Sequence, residues 1–475
     1  MKALDDEFVD DLHELRELVR RSPDAARLRP IGLHEIVRGR GAVHSLSRVL
    51  ERNGIKASSR VCVLSDSTPK SYLDQDVLDV VRAVLDGHHD VLLVTVSHQP
   101  GAVVHADEKT IAQCTNDVAR LAPDAVVSVG SGTVVDIAKY VAHELDLAHV
   151  VVQTAASVNG FADDQSVLLI DGVKRTTPSQ WPRALVIDPL VVAEAPLAMT
   201  RSGLGDQLSM FSAAADWYLA GAVGFDASFS PTPLAMMRHE ADPLWRYADE
   251  LGRGDHQAVD LLASSLAVGG IAMGVAGRTA PSSGTEHVIS HLLEMQAGAS
   301  KIASASHGAT VGVTSVAAVL LWQRIRDRLK AAECRVDPAN VASRERVLAA
   351  FARLDHSGAA ADECWNAYEK KADWILSHLE DIDRVLAHWP EHDLEVGQLL
   401  VAPSFVADNL LLAGAPTTFR DLQPAPEPEV ATWALSNCHL MRDRFTVVDL
   451  ADLIGAWRDE DVAELLVDHE QLAKP

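Results

Sequence analysis

Between residues 30 and 195 the chain alternates short β-branched runs with stretches of helical spacing, and this pattern leaves few folds open. VCVLSD (61–66) reads as a strand ending in an acid, and YLDQDVLDVVRAVLDG (72–87) as a helix. DVLLVTVS (90–97) is a second strand and EKTIAQCTNDVARLA (108–122) another helix. DAVVSVG (124–130), VVDIAKYVAHEL (134–145) and HVVVQ (149–153) continue as strand, helix and strand, and ALVIDPLVV (184–192) reads as the last strand. Strands alternating with helices build βαβ units and a mostly parallel sheet. After about residue 196, Ala-rich helical stretches take over, among them DQLSMFSAAADWYLAGAV, GTEHVISHLLEM and GATVGVTSVAAVLLWQRIRDRLKAAE. The expected class is α/β plus all-α. Residues 1–195 form a parallel-sheet domain, in which 1–28 carry an extra leading helix, and residues 196–475 form an all-helical domain.

Charge narrows the partners. The chain has 475 residues, with 42 Lys and Arg against 67 Asp and Glu, a net charge of −25. That balance excludes a general nucleic-acid binder, which needs clustered cations. It also repels anionic membrane surfaces. An anionic substrate must then meet a local positive site, such as a metal or a helix N-terminus. The five cysteines are widely spaced and form no CxxC pair, as expected of reduced thiols in a cytoplasmic protein. The opening MKALDDEFVDDLHELRELVRR is acidic and amphipathic, unlike a signal peptide. No uninterrupted apolar run reaches the ~18 residues of a membrane span.

Several motifs can carry chemistry. In SVGSGTVVDIAK (128–139) a strand runs into Gly130, Ser131, Gly132 and Thr133, and a helix follows. Such a loop admits a phosphate to backbone N–H groups at a helix N-terminus, and equally makes a plain tight βα turn. Asp66 ends the first strand, where an acid binds a ribose 2′-hydroxyl or else caps a helix. VQTAASVNGFADD (152–164) offers Thr154 and Ser157 to a nicotinamide or a phosphate. In SGLGDQLSM, Asp206 reads as the start of a helix, by itself an N-cap. In PSSGTEHVISHLLEM, His287 and His291 stand at i and i+4 and share a helix face. Glu286 precedes rather than follows His287, so the H-E-x-x-H pattern of a zinc protease is absent. His307 lies at a break before the next helix. One Asp and two His leave open positions on a divalent metal, as a catalytic site requires.

Taken in order, GSGTVVDIAK, QTAASVNG, GLGD, SSGTEHVISH and SHGATVGV resemble the sn-glycerol-1-phosphate dehydrogenases, within the iron-containing alcohol dehydrogenase and dehydroquinate synthase-like group. The resemblance runs from GLHEIVRGRGAVHSL (32–46) to MRDRFTVVDLADLIG (441–455); residues 1–28 and parts of 325–400 fall outside it. It implies a Rossmann-like N-terminal domain, a helical C-terminal domain and an active site in the cleft between them. It implies Asp206, His287 and His307 as metal ligands, with zinc first and iron or nickel as alternatives. It places His291, with Asp206, at the substrate. Gly130, Ser131, Gly132, Thr133, Val134, Thr154 and Ser157 would hold NAD(P), with NAD favoured by Asp66. A homodimer is expected. The implied reaction is metal-assisted hydride transfer from a nicotinamide to a ketone, with Asp206, His287, His291 and His307 as the catalytic set.

Two positions depart from the family. Asn159 stands where the family has a substrate-binding Asp, and Asp163 stands where it has a Ser on the cofactor side. An amide in place of a carboxylate removes a negative charge and can donate a hydrogen bond. This opens two substrate readings: dihydroxyacetone phosphate, or a more anionic three-carbon keto acid such as phosphonopyruvate. A sugar-phosphate cyclase (a lyase) on the same fold is an alternative of another class. It calls for a further Lys and Arg cluster, which the helical half does not display in sequence.

Overall fold

A computed structural model of the chain describes residues 11–96, 104–355 and 357–472. The strands are β1 (Glu35–Arg38), β2 (Arg60–Ser65), β3 (Ser71–Tyr72), β4 (Gln75–Asp76), β5 (Asp90–Thr95), β6 (Ala125–Gly130), β7 (Ala148–Gln153), β8 (Gln165–Ile170), β9 (Val173–Pro178) and β10 (Ala184–Ile187). Six of them form one sheet in the order β1-β10-β7-β6-β2-β5, and every pairing in it is parallel. The central strands are apolar without alternation, because helices cover both faces. All six residues of β6 and all four of β10 are buried.

Local chemistry explains where the expected elements shift. The 72–87 stretch is helical only over Val77–Leu85. Leu73 and Asp74 adopt positive φ (47° and 65°), which folds β3 and β4 into a two-residue hairpin, and Asp76 then caps the helix by accepting from Leu78 N. The last strand stops at Ile187, because Asp188 caps a short helix (Pro189–Val192) with Pro in its first turn. β1 and the hairpin strands β8 and β9 lie in segments with no strand reading from sequence. The second expected strand ends inside the described residues at Thr95; its final residue, Ser97, lies outside them. A leading helix is present over Asp11–Arg21.

The chain divides into two units, but not by one cut near residue 196. The first runs to Ile170 and adds Arg175–Gly203 and Thr232–Thr279. The second holds Asp171–Lys174, Leu204–Pro231 and the chain from Ala280 on. The helix His256–Ala276 belongs with the sheet because β1 grips it. Arg38 makes a two-pronged ion pair with Asp260 (2.9 and 3.0 Å) and donates to Ser264 Oγ at 2.7 Å. On the same helix, Gly270 lies against the Asn159 carbonyl and Gly274 against the Trp181 ring.

Among the described residues, two helices, His256–Ala276 and His307–Ala331, are long and apolar enough to cross a membrane despite their scattered polar residues. Their most apolar windows are 89% buried within the protein, so they serve as core helices.

Candidate functional site

In the first unit, β6 delivers Gly130 into a turn and the helix Gly132–Glu144 starts at once. The glycines are demanded by packing. A Cβ on Gly130 would strike the Val134 side chain, and one on Gly132 would lie 2.7 Å from Val158 Cγ2. The first amides of this helix, from Gly132 to Val134, have no acceptor within the helix by rule. The Ser131 side chain makes no capping bond, whereas Asp107 caps the helix before it by accepting from Thr110 N. Thr154 N donates to Gly130 O at 3.1 Å, which holds the next loop beside the turn, and Thr154, Ser157 and Asn159 are buried there.

Asp66 follows β2 but does not cap a helix. Its carboxylate accepts from Thr68 Oγ1 and Lys70 Nζ, both at 2.5 Å. Asp163, expected on the cofactor side, is turned inward. It pairs at 2.5 Å with Lys139, which also donates to Gly160 O and Gln165 O and is fully buried. Burial opposes the Lys139 charge, yet Asp163 and Asp136 hold its ammonium above the ordinary range. A carboxylate at position 163 thus balances a buried lysine and ties the helix Gly132–Glu144 to the following loop.

The second unit assembles the acid and imidazoles. Asp206 was expected at a helix start. It lies instead in the last turn of the helix Leu197–Leu208, so the Gly-Leu-Gly run is itself helical. Gly205 is there for contact: a Cβ would collide with the Gly308 carbonyl and stand 3.1 Å from Gly312 Cα. That approach sets Asp206 beside the first turn of the helix His307–Ala331. His287 and His291 share a face of the helix Thr285–Ala299. Asp206, His287 and His307 each offer a ligand atom, and these atoms lie within 4.8 Å of one another. His287 Nε2 is 3.4 Å and His307 Nε2 3.9 Å from Asp206 Oδ1.

Carboxylates behind both rings fix their orientation: Glu286, which the sequence shows only as the residue before His287, and Glu294, which no sequence motif marks. Glu286 Oε1 meets His287 Nδ1 at 3.0 Å, and Glu294 Oε1 meets His307 Nδ1 at 2.6 Å. Both rings therefore turn Nε2 toward Asp206, the arrangement by which outer carboxylates orient metal-binding imidazoles. Burial would strip the charge from His287, but Asp206 and Glu286 reverse this and lift its pKa to about 9. The cluster thus draws positive charge, and two imidazoles with one carboxylate are a donor set suited to zinc, iron or nickel. The buried Asp216 carboxylate supports the start of the His287 helix by accepting from Thr285 N at 2.7 Å.

His291 stacks on His307 with ring centres 5.3 Å apart. It is fully buried, and burial together with Arg442 and Lys174 pushes its pKa well below the ordinary value. Arg442 donates to His291 Nδ1 at 3.1 Å and to Lys174 O at 2.9 Å, while Lys174 pairs with Glu294. The cations not evident as a cluster in sequence are thus brought together from positions 174 and 442. The spacing of i, i+3 and i+4 could have flagged Glu294, three residues after His291. Nothing in the sequence pairs Lys174 with Arg442.

Comparison with known proteins agrees with this construction. The pattern of the iron-containing alcohol dehydrogenase family matches residues 37–196. The glycerol-1-phosphate dehydrogenase [NAD(P)+] of Bacillus velezensis is 30% identical over 292 residues, 61% of this chain and 71% of that protein. The enzyme of the same name from Hyperthermus butylicus is 29% identical, over 62% of this chain and 81% of that protein. Among solved structures, maleylacetate reductase from Agrobacterium tumefaciens matches 94% of this chain and 98% of its own with a TM-score of 0.57 at 17% identity. Glycerol dehydrogenase from Schizosaccharomyces pombe matches 93% of this chain and 90% of its own, with a TM-score of 0.58 at 14% identity. At such identities the two structures establish the fold. The chain belongs to the iron-containing alcohol dehydrogenase family, whose members are NAD(P)-dependent oxidoreductases carrying a divalent metal.

Proposed function

We propose that the protein is a metal-dependent, NAD(P)H-linked reductase of a small ketone bearing a phosphate or phosphonate, in the manner of glycerol-1-phosphate dehydrogenase. The observation that carries this reading is the convergence of Asp206, His287 and His307, each imidazole backed by its own carboxylate. Asp206, His287 and His307 would hold the metal, with zinc first. The Gly130–Val134 turn, Thr154, Ser157 and Asp66 would hold the dinucleotide. When bound, the metal polarises a carbonyl oxygen and the reduced nicotinamide supplies the hydride.

The chain's own residues supply binding and proton handling. Arg442 donates into His291 Nδ1, so that nitrogen is an acceptor and the neutral ring carries its proton on Nε2. His291 is thus set to donate to a developing alkoxide. Lys174 and Arg442 add positive charge beside it, against a chain of net −25, which suits an anionic substrate group. The uncapped amides of Gly132, Thr133 and Val134 suit a diphosphate. Five cysteines with no disulfide among them suit a reducing cytoplasm.

Asn159 favours a second reading of the substrate. A neutral amide tolerates an acidic group that the family's Asp would repel, so a phosphonate- or phosphate-bearing keto acid such as phosphonopyruvate fits as well as dihydroxyacetone phosphate. The test is NADH and NADPH oxidation by metal-analysed protein across small phosphorylated and phosphonylated ketones. Turnover of a phospho- or phosphono-ketone with net loss of NAD(P)H is expected. Activity confined to uncharged alcohols or ketones would refute the anionic substrate, and product formed without net NAD(P)H loss would point to a cyclase. Clearly faster turnover of dihydroxyacetone phosphate than of phosphonopyruvate would remove the second reading.

A further inference from the structure

A polar cavity of about 450 Å³ lies in the second unit, where the 325–400 stretch meets the end of the helix Met210–Ala222, and it is lined by His378, Arg384, His388, Glu391 and His392 among others. We propose that it is a second divalent-metal site, distinct from the Asp206 cluster, with His388 and His392 as the anchoring ligands.

The spacing comes first. His388 and His392 are separated by Trp389, Pro390 and Glu391, with His388 leading into the helix Trp389–Leu399. His388 joins the helix Leu379–Ala387 to the helix Trp389–Leu399 with backbone outside the helical range (φ −105°, ψ 22°), His392 lies at the start of the second helix, and both line the same cavity. Pro in the first turn fixes the backbone between them.

Hydrogen bonds then set the rings. His388 Nδ1 lies 2.9 Å from Arg384 O, and His378 Nδ1 2.8 Å from Trp374 O. A carbonyl only accepts, so in both rings Nδ1 carries the proton and Nε2 keeps its lone pair. His392 Nδ1 meets Tyr218 Oη at 2.9 Å, a partner that can accept its proton. Metal-binding imidazoles are held in this way, one nitrogen to a protein acceptor and the other to the ion. Back-bonding to the preceding turn is also how a histidine ends a helix, and it accounts for His378 and His388 singly. It does not account for three imidazoles and the Glu391 carboxylate lining one cavity.

Among the described residues, three ligand atoms stand within 4.8 Å only in the Asp206 cluster. In the cavity two imidazoles therefore anchor the ion and water completes its shell, for which about 450 Å³ leaves room for several waters at ~30 Å³ each. Imidazole with carboxylate and water suits zinc, nickel or copper. The cavity wall includes Ala222, Val223 and Gly224 at the end of the helix Met210–Ala222. That helix carries both Tyr218 and Asp216, the residue supporting the His287 helix, so an ion here would brace the scaffold of the first site.

The test is zinc stoichiometry, by titration calorimetry and metal analysis of desalted chelator-treated protein. The His388→Gln/His392→Gln double variant should bind one zinc per chain fewer than the parent, and His287→Ala should keep the equivalent that the double variant loses. This readout uses no activity, so it stands whether or not the Asp206 cluster is catalytic. Equal stoichiometry in parent and double variant would overturn the proposal. Since glutamines could disturb folding, His392→Cys supplies a positive control. It keeps a ligand and should give a thiolate-to-cobalt charge-transfer band on titration with cobalt(II) alone, and absence of that band would overturn the proposal as well.

Discussion

Replacing Gly205 by Ala sets two physical effects against each other. On an open helix, Gly→Ala gains about 1 kcal/mol through restricted backbone freedom. Here the new methyl would meet the Gly308 carbonyl, with Gly312 Cα 3.1 Å away. Both neighbours are backbone at the head of the helix that presents His307, and no side chain can swing aside. Overpacking of a well-filled interior costs about 1–3 kcal/mol, so it equals or exceeds the propensity gain. Relief requires the two helices to part, and they carry Asp206 and His307. At 1.4 kcal/mol per factor of ten, a comparable loss in ligand alignment weakens metal binding by about 5- to 150-fold. The assay is zinc competition against a chromogenic chelator, alongside thermal unfolding of the metal-free protein. Gly205→Ala should weaken zinc binding and leave the apo melting temperature unchanged or lower. A higher apo melting temperature with unaltered zinc affinity would refute the claim that this glycine sets the spacing of the ligands.

Three other outcomes follow from particular contacts. Glu294→Gln keeps shape but gives up the charge facing His307 Nδ1, and should lower metal affinity by about 10- to 100-fold, measured by the same competition. Asp66→Asn should shift the ratio of kcat/KM for NADH over NADPH toward NADPH, since Lys70 is left without its carboxylate partner beside the proposed ribose site; an unchanged ratio would remove Asp66 from cofactor choice. His149 is fully buried against Ser128 Oγ (2.9 Å), and burial, aided by Lys139, pushes its pKa down to about 3. The unfolded chain then binds the extra proton, so this stability is complete above about pH 6.5 and declines as pH falls from there toward 3. The loss between pH 8 and pH 5 is about 2 kcal/mol for this residue, and urea unfolding of His149→Gln at both pH values should show a correspondingly smaller decline.

Much of this protein is written in local pattern. Strand–helix alternation between 30 and 195 specifies a parallel sheet, because continuous β-branched runs such as 125–130 are stable only with both faces covered. The i, i+4 spacing of His287 and His291 needs nothing beyond helical geometry. The ordered family motifs join Asp206 and His307 to the same set. Tertiary structure decided the rest. It made Gly205 a contact point within a helix where the Gly-Leu-Gly run reads as a break. It turned Asp163 inward to a buried lysine, and only packing reveals whether a carboxylate faces solvent, ligand or counter-ion. It placed the helix His256–Ala276 with the sheet through Arg38, against the order of the chain. It brought Lys174 and Arg442 together at His291 from 268 residues apart, a pairing that periodicity does not encode. Local period is a property of neighbours along the chain, whereas charge balance, ring orientation and ligand spacing depend on atoms that only folding makes adjacent.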